Sequence, residues 1–202
     1  MSEPAKDEFF DLFVVPKTGG IVWSYANRGI TVKADRVAFE IDGVAHEGRF
    51  ADIREIRMSV TTVLAKGSSG TGGVCQMTFA DGFVVSAVSN DGRGFPDPER
   101  IAPYVHFVSE LHHRLSAADK NRIRFFAGLT EGRHMVLMVA AGFFALMSLI
   151  PLFVFFYVGE WKILLTLIAC VACAWPIWKS AEANRPRSYN PDSLPEDLIP
   201  ES

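Results

Sequence analysis

From Met135 to Val158 the chain carries no charged side chain. A helix of about 20 apolar residues crosses a hydrocarbon core of about 30 Å. Gly159-Glu160-Trp161-Lys162 breaks the run, and Ile163 to Trp178 is again uncharged. The second run reaches spanning length when Trp161 and Lys162 lie at the interface. Two such runs joined by a short polar break predict a transmembrane helical hairpin over 135–179. A hairpin buried in a soluble fold needs a polar face for the water side, and neither run has one.

Basic residues set the orientation. Arg122, Arg124 and Arg133 precede the first helix, and Lys179, Arg185 and Arg187 follow the second, whereas the turn between has only Lys162. Lys and Arg accumulate on the cytoplasmic side. A multi-pass protein of a bacterial inner membrane is expected, with both termini in the cytoplasm. Amphipathic side chains favour the membrane–water boundary. Arg122, Arg124, Trp175, Trp178 and Lys179 are placed at the inner interface, and Tyr157 and Trp161 at the outer one. Small residues let helices approach closely in lipid. The expected packing stripe is Ala141, Ala145 and Ser148 against Thr166, Cys170 and Cys173. Pro151 removes a backbone donor and predicts a kink. No Asp, Glu, Lys, Arg or His lies inside either helix, as an ion or substrate pathway would need. The pair reads as an anchor in contact with membrane lipids.

The remaining chain is long enough for one domain. A net charge of −3 gives no basic footprint for nucleic acid. The N-terminus, Met-Ser-Glu-Pro-Ala-Lys-Asp-Glu, has no apolar core of a signal peptide. The first membrane helix is therefore expected to direct insertion. Cys75, Cys170 and Cys173 imply no disulfide framework, which suits a domain in reducing cytosol.

Five segments follow from the patterning. Residues 1–19 form an N-terminal stretch in which Glu8–Val15 is a short helix or strand. Residues 20–118 form a cytoplasmic domain. Residues 119–134 are a basic connector, with Ile123, Phe125 and Phe126 interleaved with Arg122 and Arg124 as if lying on lipid. The hairpin covers 135–179, and a Pro-rich tail 180–202. Inside the domain, short runs alternate between polar and apolar residues, as strands do. They are Ile21–Tyr25, Arg28–Lys33, Asp35–Asp42, Ala45–Phe50, Ile53–Val63, Gly73–Ala80 and Phe83–Val88. Val37, Phe39 and Ile41 share one face, as do Cys75, Met77 and Phe79. Asp42-Gly43 and Asp81-Gly82 are tight hairpin turns. Gly67–Gly73 reads as a flexible loop. A helix follows over Pro103–Ala117, with Pro103 opening it and Pro98 in the turn before. Phe39 and Phe79 are expected to point between two sheets.

The stretch Val22-Trp-Ser-Tyr-Ala-Asn-Arg-Gly-Ile-Thr-Val, then Asp35-Arg-Val-Ala-Phe, then Phe50-Ala-Asp-Ile-Arg-Glu-Ile, resembles bacterial membrane proteins with a pleckstrin-homology-like (PH-like) domain. The resemblance covers roughly residues 20–118. It implies an α+β fold: a seven-stranded antiparallel β-sandwich or barrel capped by one C-terminal helix, here followed by the hairpin. It implies a binding or scaffolding module and no catalytic residues. In those families the domain often follows the membrane helices, whereas here it precedes them.

The tail carries Pro186, Pro191, Pro195 and Pro200, which forbid a long helix. The tail is expected to be extended and mobile: a solvated disordered end is one reading, and the other takes Tyr189, Leu194, Leu198 and Ile199 as apolar anchors of an extended peptide that docks on a partner. Other constellations point to structure. Gly67–Gly73 lacks the Gly-Lys-Ser/Thr ending of a phosphate loop. His106, Glu110 and His113 share a helix face at spacings that zinc accepts, but no second ligand cluster accompanies them. Cys170 and Cys173 sit in an apolar helix, where a thiolate is disfavoured. Lys17, Arg28, Lys33, Arg36 and Arg49 are interspersed with acids and read as a solvated surface. No catalytic arrangement, metal site or cofactor fingerprint is expected. The sequence thus predicts a non-enzymatic membrane-anchored interaction or assembly protein, a subunit of a larger membrane complex contacted through hairpin or tail. A lipid- or small-ligand-sensing module is the alternative.

Overall fold

Polar–apolar alternation along the N-terminal part of the chain becomes strands wherever a partner strand can cover the backbone. The computed structural model describes residues 6–17, 27–65 and 68–200. The expected strand Ile21–Tyr25 lies outside them. In chain order the elements are β1 (Glu8–Pro16), β2 (Asn27–Val32), β3 (Arg36–Ile41), β4 (Val44–Arg49), a single 3-10 turn (Phe50–Asp52), β5 (Ile53–Ala65), β6 (Ser68–Phe79) and β7 (Val84–Val88). Then come α1 (Pro98–Arg114), α2 (Ala117–Arg122), β8 (Arg124–Ala127), α3 (Glu131–Val158), α4 (Lys162–Ala183) and β9 (Arg187–Ser188). The chain divides into two units: residues through Gly128 together with those from Arg187, and the insert Leu129–Pro186.

The first unit is mixed α+β. Among the described residues its sheet has nine strands in the order β4-β3-β2-β1-β7-β6-β5-β8-β9, two more than the seven expected. β1 serves two partners: it pairs with β2, most closely at Glu8–Phe10, and with β7 over Phe13–Pro16, with a register shift between Phe10 and Phe13. Phe10, Leu12 and Val14 point into the core, and Val37, Phe39, Ile41, Ile56, Met58, Cys75, Met77 and Phe79 do so at the predicted phase. Asp42 and Gly43 both take positive φ, 52° and 79°, at the predicted tight turn. Burial raises the Cys75 thiol to about 12, so it is an inert core side chain.

Gly67–Gly73 is not a loop from Ser68 onward. Ser68–Gly73 pairs with Val60–Ala65, extending the β5–β6 hairpin. Glycine serves close approach here: a Cβ on Gly72 would lie 1.8 Å from Asn90 Oδ1, and one on Gly73 2.2 Å from Tyr104 Cε1. The helix also differs from expectation. Pro98, not Pro103, opens α1, because Asp97 caps it by accepting the Glu99 N–H (3.0 Å), and a first-turn proline needs no donor. Pro103 sits inside α1. Ile101, Tyr104, Phe107, Val108 and Leu111 form its buried face, and α1 packs on β1, β2 and β6.

The connector 119–134 also departs from the lipid-surface reading. β8 joins the sheet parallel to β5, and Ile123, Phe125 and Ala127 are buried. Apolar residues at every second position are a strand's signature; a helix on lipid would repeat at 3.6. Arg122 donates to the Phe50 carbonyl (2.9 Å) and pairs with Asp119 (2.7 Å), and Arg124 pairs with Glu55 (3.4 Å). Arg122 and Arg124, two of the three cations expected at the membrane interface, thus have partners inside the domain.

The second unit consists of α3 and α4, two helices long and apolar enough to cross a membrane. Gly159 caps α3 in the left-handed conformation (φ 74°), its N–H reaching the Phe155 carbonyl (2.8 Å). The apolar side chains face outward: Phe153 is 75 % and Phe156 78 % exposed. Tyr157, Trp161, Trp175 and Trp178 are exposed too, with the last two rings 5.5 Å apart. α3 is unbroken through Pro151. The covered stripe on α3 runs through Leu137, Ala141, Phe144, Ser148, Pro151 and Phe155, and that on α4 through Leu167, Cys170, Ala174, Ile177 and Ala181. Ala141, Ser148 and Cys170 of the expected stripe are on these faces. Ala145, Thr166 and Cys173 are exposed, rotated out of contact. A 3.6-residue repeat fits 166, 170 and 173 as well as 167, 170, 174, 177 and 181; the covered face includes the larger Leu167 and Ile177, which a search for small residues passes over.

Candidate functional site

β4 ends the sheet. Beside it lies a cleft of ≈ 350 Å³, formed where β3, β4, Asp52 and the β6–β7 turn converge. Phe39, Phe79, Phe83 and His46 supply its aromatic surface, and Glu47, Asp52 and Asp81 its carboxylates. Register explains the grouping. The two-residue turn at 42–43 sets Phe39 opposite His46. Gly48, two residues on, leaves room for the Phe79 ring, which would lie 2.2 Å from a Cβ at that position. The Phe39 ring is nearly parallel to His46 (5.9 Å, 13°) and to Phe83 (6.2 Å, 2°).

Hydrogen bonds hold the walls. Phe79 N–H donates to the Phe83 carbonyl (2.8 Å), Phe83 N–H to Asp81 Oδ1 (2.9 Å), and Ala80 N–H to the Asp52 carbonyl (2.8 Å). Glu47 is neutralised from outside, accepting from Lys33 (2.7 Å) and Arg36 (2.9 Å), and these bonds lower its carboxyl pKa. Arg36 also pairs with Asp35, and Arg28 with Asp11. These cations therefore do not converge on a phosphate. Among the described residues, no Ser, Thr, Cys, Lys or Arg lines the cleft. It can hold a ligand by ring faces and negative charge, and it lacks an obvious nucleophile.

The tail anchors are found in a second place, inside the chain's own domain. β9 pairs with β8, and Tyr189 N–H donates to the Phe125 carbonyl (3.3 Å). Tyr189 and Leu198 belong to the core, Leu194 packs against it, and Ile199 is half-buried. Lys120 pairs with Asp192 and Arg187 with Asp197. The docking peptide expected to seek a partner thus has an intramolecular seat. The physical reason is His112, which the sequence reading passed over. It is buried on α1 beside Phe125 and Tyr189. Its Nδ1 lies 2.7 Å from the Val108 carbonyl, which only accepts, so Nδ1 carries the hydrogen; Nε2 then accepts from the Tyr189 hydroxyl (2.8 Å). Burial lowers the His112 pKa to about 4 and raises that of Tyr189, so both are neutral.

The helix-face triad is not assembled as spaced. His106 and Glu110 meet Glu8 of β1, not His113, with ligand atoms within 4.8 Å of one another. Arg114 occupies the same carboxylates, 2.6 Å from Glu110 and 3.8 Å from Glu8, so a cation is already in place. Comparisons with protein-family models, curated proteins and solved structures found no match to this chain.

Proposed function

We propose that this chain is a non-enzymatic, membrane-anchored interaction protein. In this reading it presents its α+β domain on the cytoplasmic face of a bacterial inner membrane and serves as a subunit or assembly factor of a larger membrane complex. The observation that carries the reading is the discontinuity of the domain. β8 runs into α3, α4 returns to β9, and β8 pairs with β9 in one sheet. An apolar hairpin that leaves one sheet and returns to it keeps both chain ends on one side. A soluble protein has no use for two helices with such exposed apolar faces. The finer fold reading is supported by strand order: β1–β4 and β5–β7 are two antiparallel meanders joined by the β1–β7 pair, and α1 follows, as in the PH-like domains the sequence resembles.

Docking would use the domain surface or the hairpin, because the tail's largest anchors are buried at home. In-cell cross-linking followed by purification in a mild maltoside tests this. A stoichiometric protein partner supports assembly. A chain recovered alone, cross-linked or not, overturns it. The alternative reading, a lipid- or small-ligand-sensing module, is favoured by the aromatic cleft.

A further inference from the structure

We propose that the cleft between β4 and the β6–β7 turn binds a small organic cation bearing an ammonium or guanidinium group. The proposal rests on the ligand-sensing reading of the domain and is independent of the assembly reading. Size comes first. The volume of ≈ 350 Å³ lies within the span of about 300–1,000 Å³ typical of small-molecule sites. Chemistry comes next. Ring faces carry negative quadrupole charge and attract cations, most strongly when water is displaced. Phe39 and Phe79 are each only 6 % exposed, so the floor is an apolar ring surface, and His46 and Phe83 stand half-open at the mouth.

Charge points the same way. Among the described residues, every formally charged one lining the cleft is an acid. Glu47 is compensated by Lys33 and Arg36, which leaves Asp52 and Asp81 as net negative charge. Asp81 is fixed by accepting the Phe83 N–H, and the Asp52 carboxylate has no side-chain partner among the described residues. An anion is therefore repelled, and a neutral ligand gains less from the rim than a cation does, because it lacks the Coulomb attraction. A metal ion is also disfavoured, because it needs several converging ligand atoms. Among the described residues only Glu8, His106 and Glu110 converge in that way, and they lie outside this cleft. What remains is a cation whose charge is spread over an organic group, able to touch rings and carboxylates at once.

The same headgroup chemistry occurs free in solution and on lipids, and the experiment separates the two. The full chain, in maltoside micelles, is titrated calorimetrically with choline, with arginine methyl ester and with the neutral choline isostere 3,3-dimethylbutanol. Saturable binding of at least one cation is expected, with the isostere weaker by about tenfold or more. The double variant Asp52→Asn/Asp81→Asn should weaken cation binding by a similar factor. Both residues are exposed, so the fold tolerates the change, which circular dichroism verifies. Phe83→Ala should reduce it independently. Absence of saturation by either cation up to about 10 mM overturns the site. So does equal binding of the isostere, or equal affinity in the double variant. Repeating the titration in phosphatidylglycerol nanodiscs with and without phosphatidylcholine assigns the source. Competition by the lipid identifies the headgroup as ligand, and unchanged affinity identifies the free cation; either result supports a cation site.

Discussion

Tyr189→Phe removes one oxygen from the tail and keeps its shape, so it tests the seat of the tail without opening a cavity. In the native domain the hydroxyl is the donor to His112 Nε2 among the described residues, and His112 is 3 % exposed. Water cannot readily replace the lost bond. A buried acceptor left unsatisfied costs about 1–3 kcal/mol. That cost falls on the docked state of the tail alone, because the released tail is solvated in either variant. The opening equilibrium should therefore rise about 5- to 150-fold. Hydrogen exchange followed by mass spectrometry on the full chain reads this directly at the Tyr189 amide, which is bonded to the Phe125 carbonyl. Exchange over 187–200 should accelerate by that factor, while β2 and β3 keep native protection. The double variant His112→Phe/Tyr189→Phe should recover most of the loss, since two apolar rings leave nothing unsatisfied. Unchanged exchange in Tyr189→Phe would refute the reasoning, and so would a double variant that exchanges faster than either single one.

Three further outcomes follow from the same structure. His112 is neutral when folded, with a pKa of about 4 against an ordinary 6.5; the unfolded chain takes up the proton first. Stability from this group is complete above pH 6.5 and is lost as pH falls toward 4, by about 3 kcal/mol at most, and urea titrations should show that share missing in His112→Phe. Gly73→Ala drives a methyl into the buried Tyr104 ring and should cost at least about 1–3 kcal/mol in the same assay. Gly142→Ala meets nothing within 4 Å and should be near neutral. Periplasm-dependent reporters fused at residue 2 or 202 should both stay silent, and activity at either end would sink the proposed topology.

Strand phase was legible because alternation is a local property: Val37, Phe39 and Ile41, and Cys75, Met77 and Phe79, face the core as spaced. The cleft was half-legible. A two-residue turn at Asp42-Gly43 fixes Phe39 opposite His46 from sequence alone, whereas the β6–β7 turn has three residues, Ala80–Gly82, between Phe79 and Phe83, one more than Asp81-Gly82 implies. What brings those two hairpins side by side is non-local packing, with Phe79 seated on Gly48, and no window of sequence contains that. The glycines of 67–73 misled for a related reason. Glycine marks both slack chain and close approach, and only the Asn90 and Tyr104 side chains, distant in sequence, distinguish the two. His112 was hidden among other histidines; its neutral, buried state depends on a tyrosine contributed from beyond the hairpin.

The tail shows how composition and context part company. Prolines and scattered polar residues describe a segment that cannot fold by itself, and that much is true of Arg187–Pro200: it has two strand residues and one 3-10 turn. Proline also reduces the freedom such a segment loses on docking. The docking site is its own domain, where Tyr189 and Leu198 complete the core around α1, β5 and β8. The consequence is an order of events. Residues through Gly128 reach the ribosome exit before α3 and α4, yet they lack the side chains that complete their core. Those arrive only after both apolar helices have been made. A core that closes through β9 therefore depends on a hairpin that leaves the sheet and comes back to it. Completion of the domain is tied to the path of the hairpin through this link, and the His112–Tyr189 bond is where that link can be cut without touching α3 or α4.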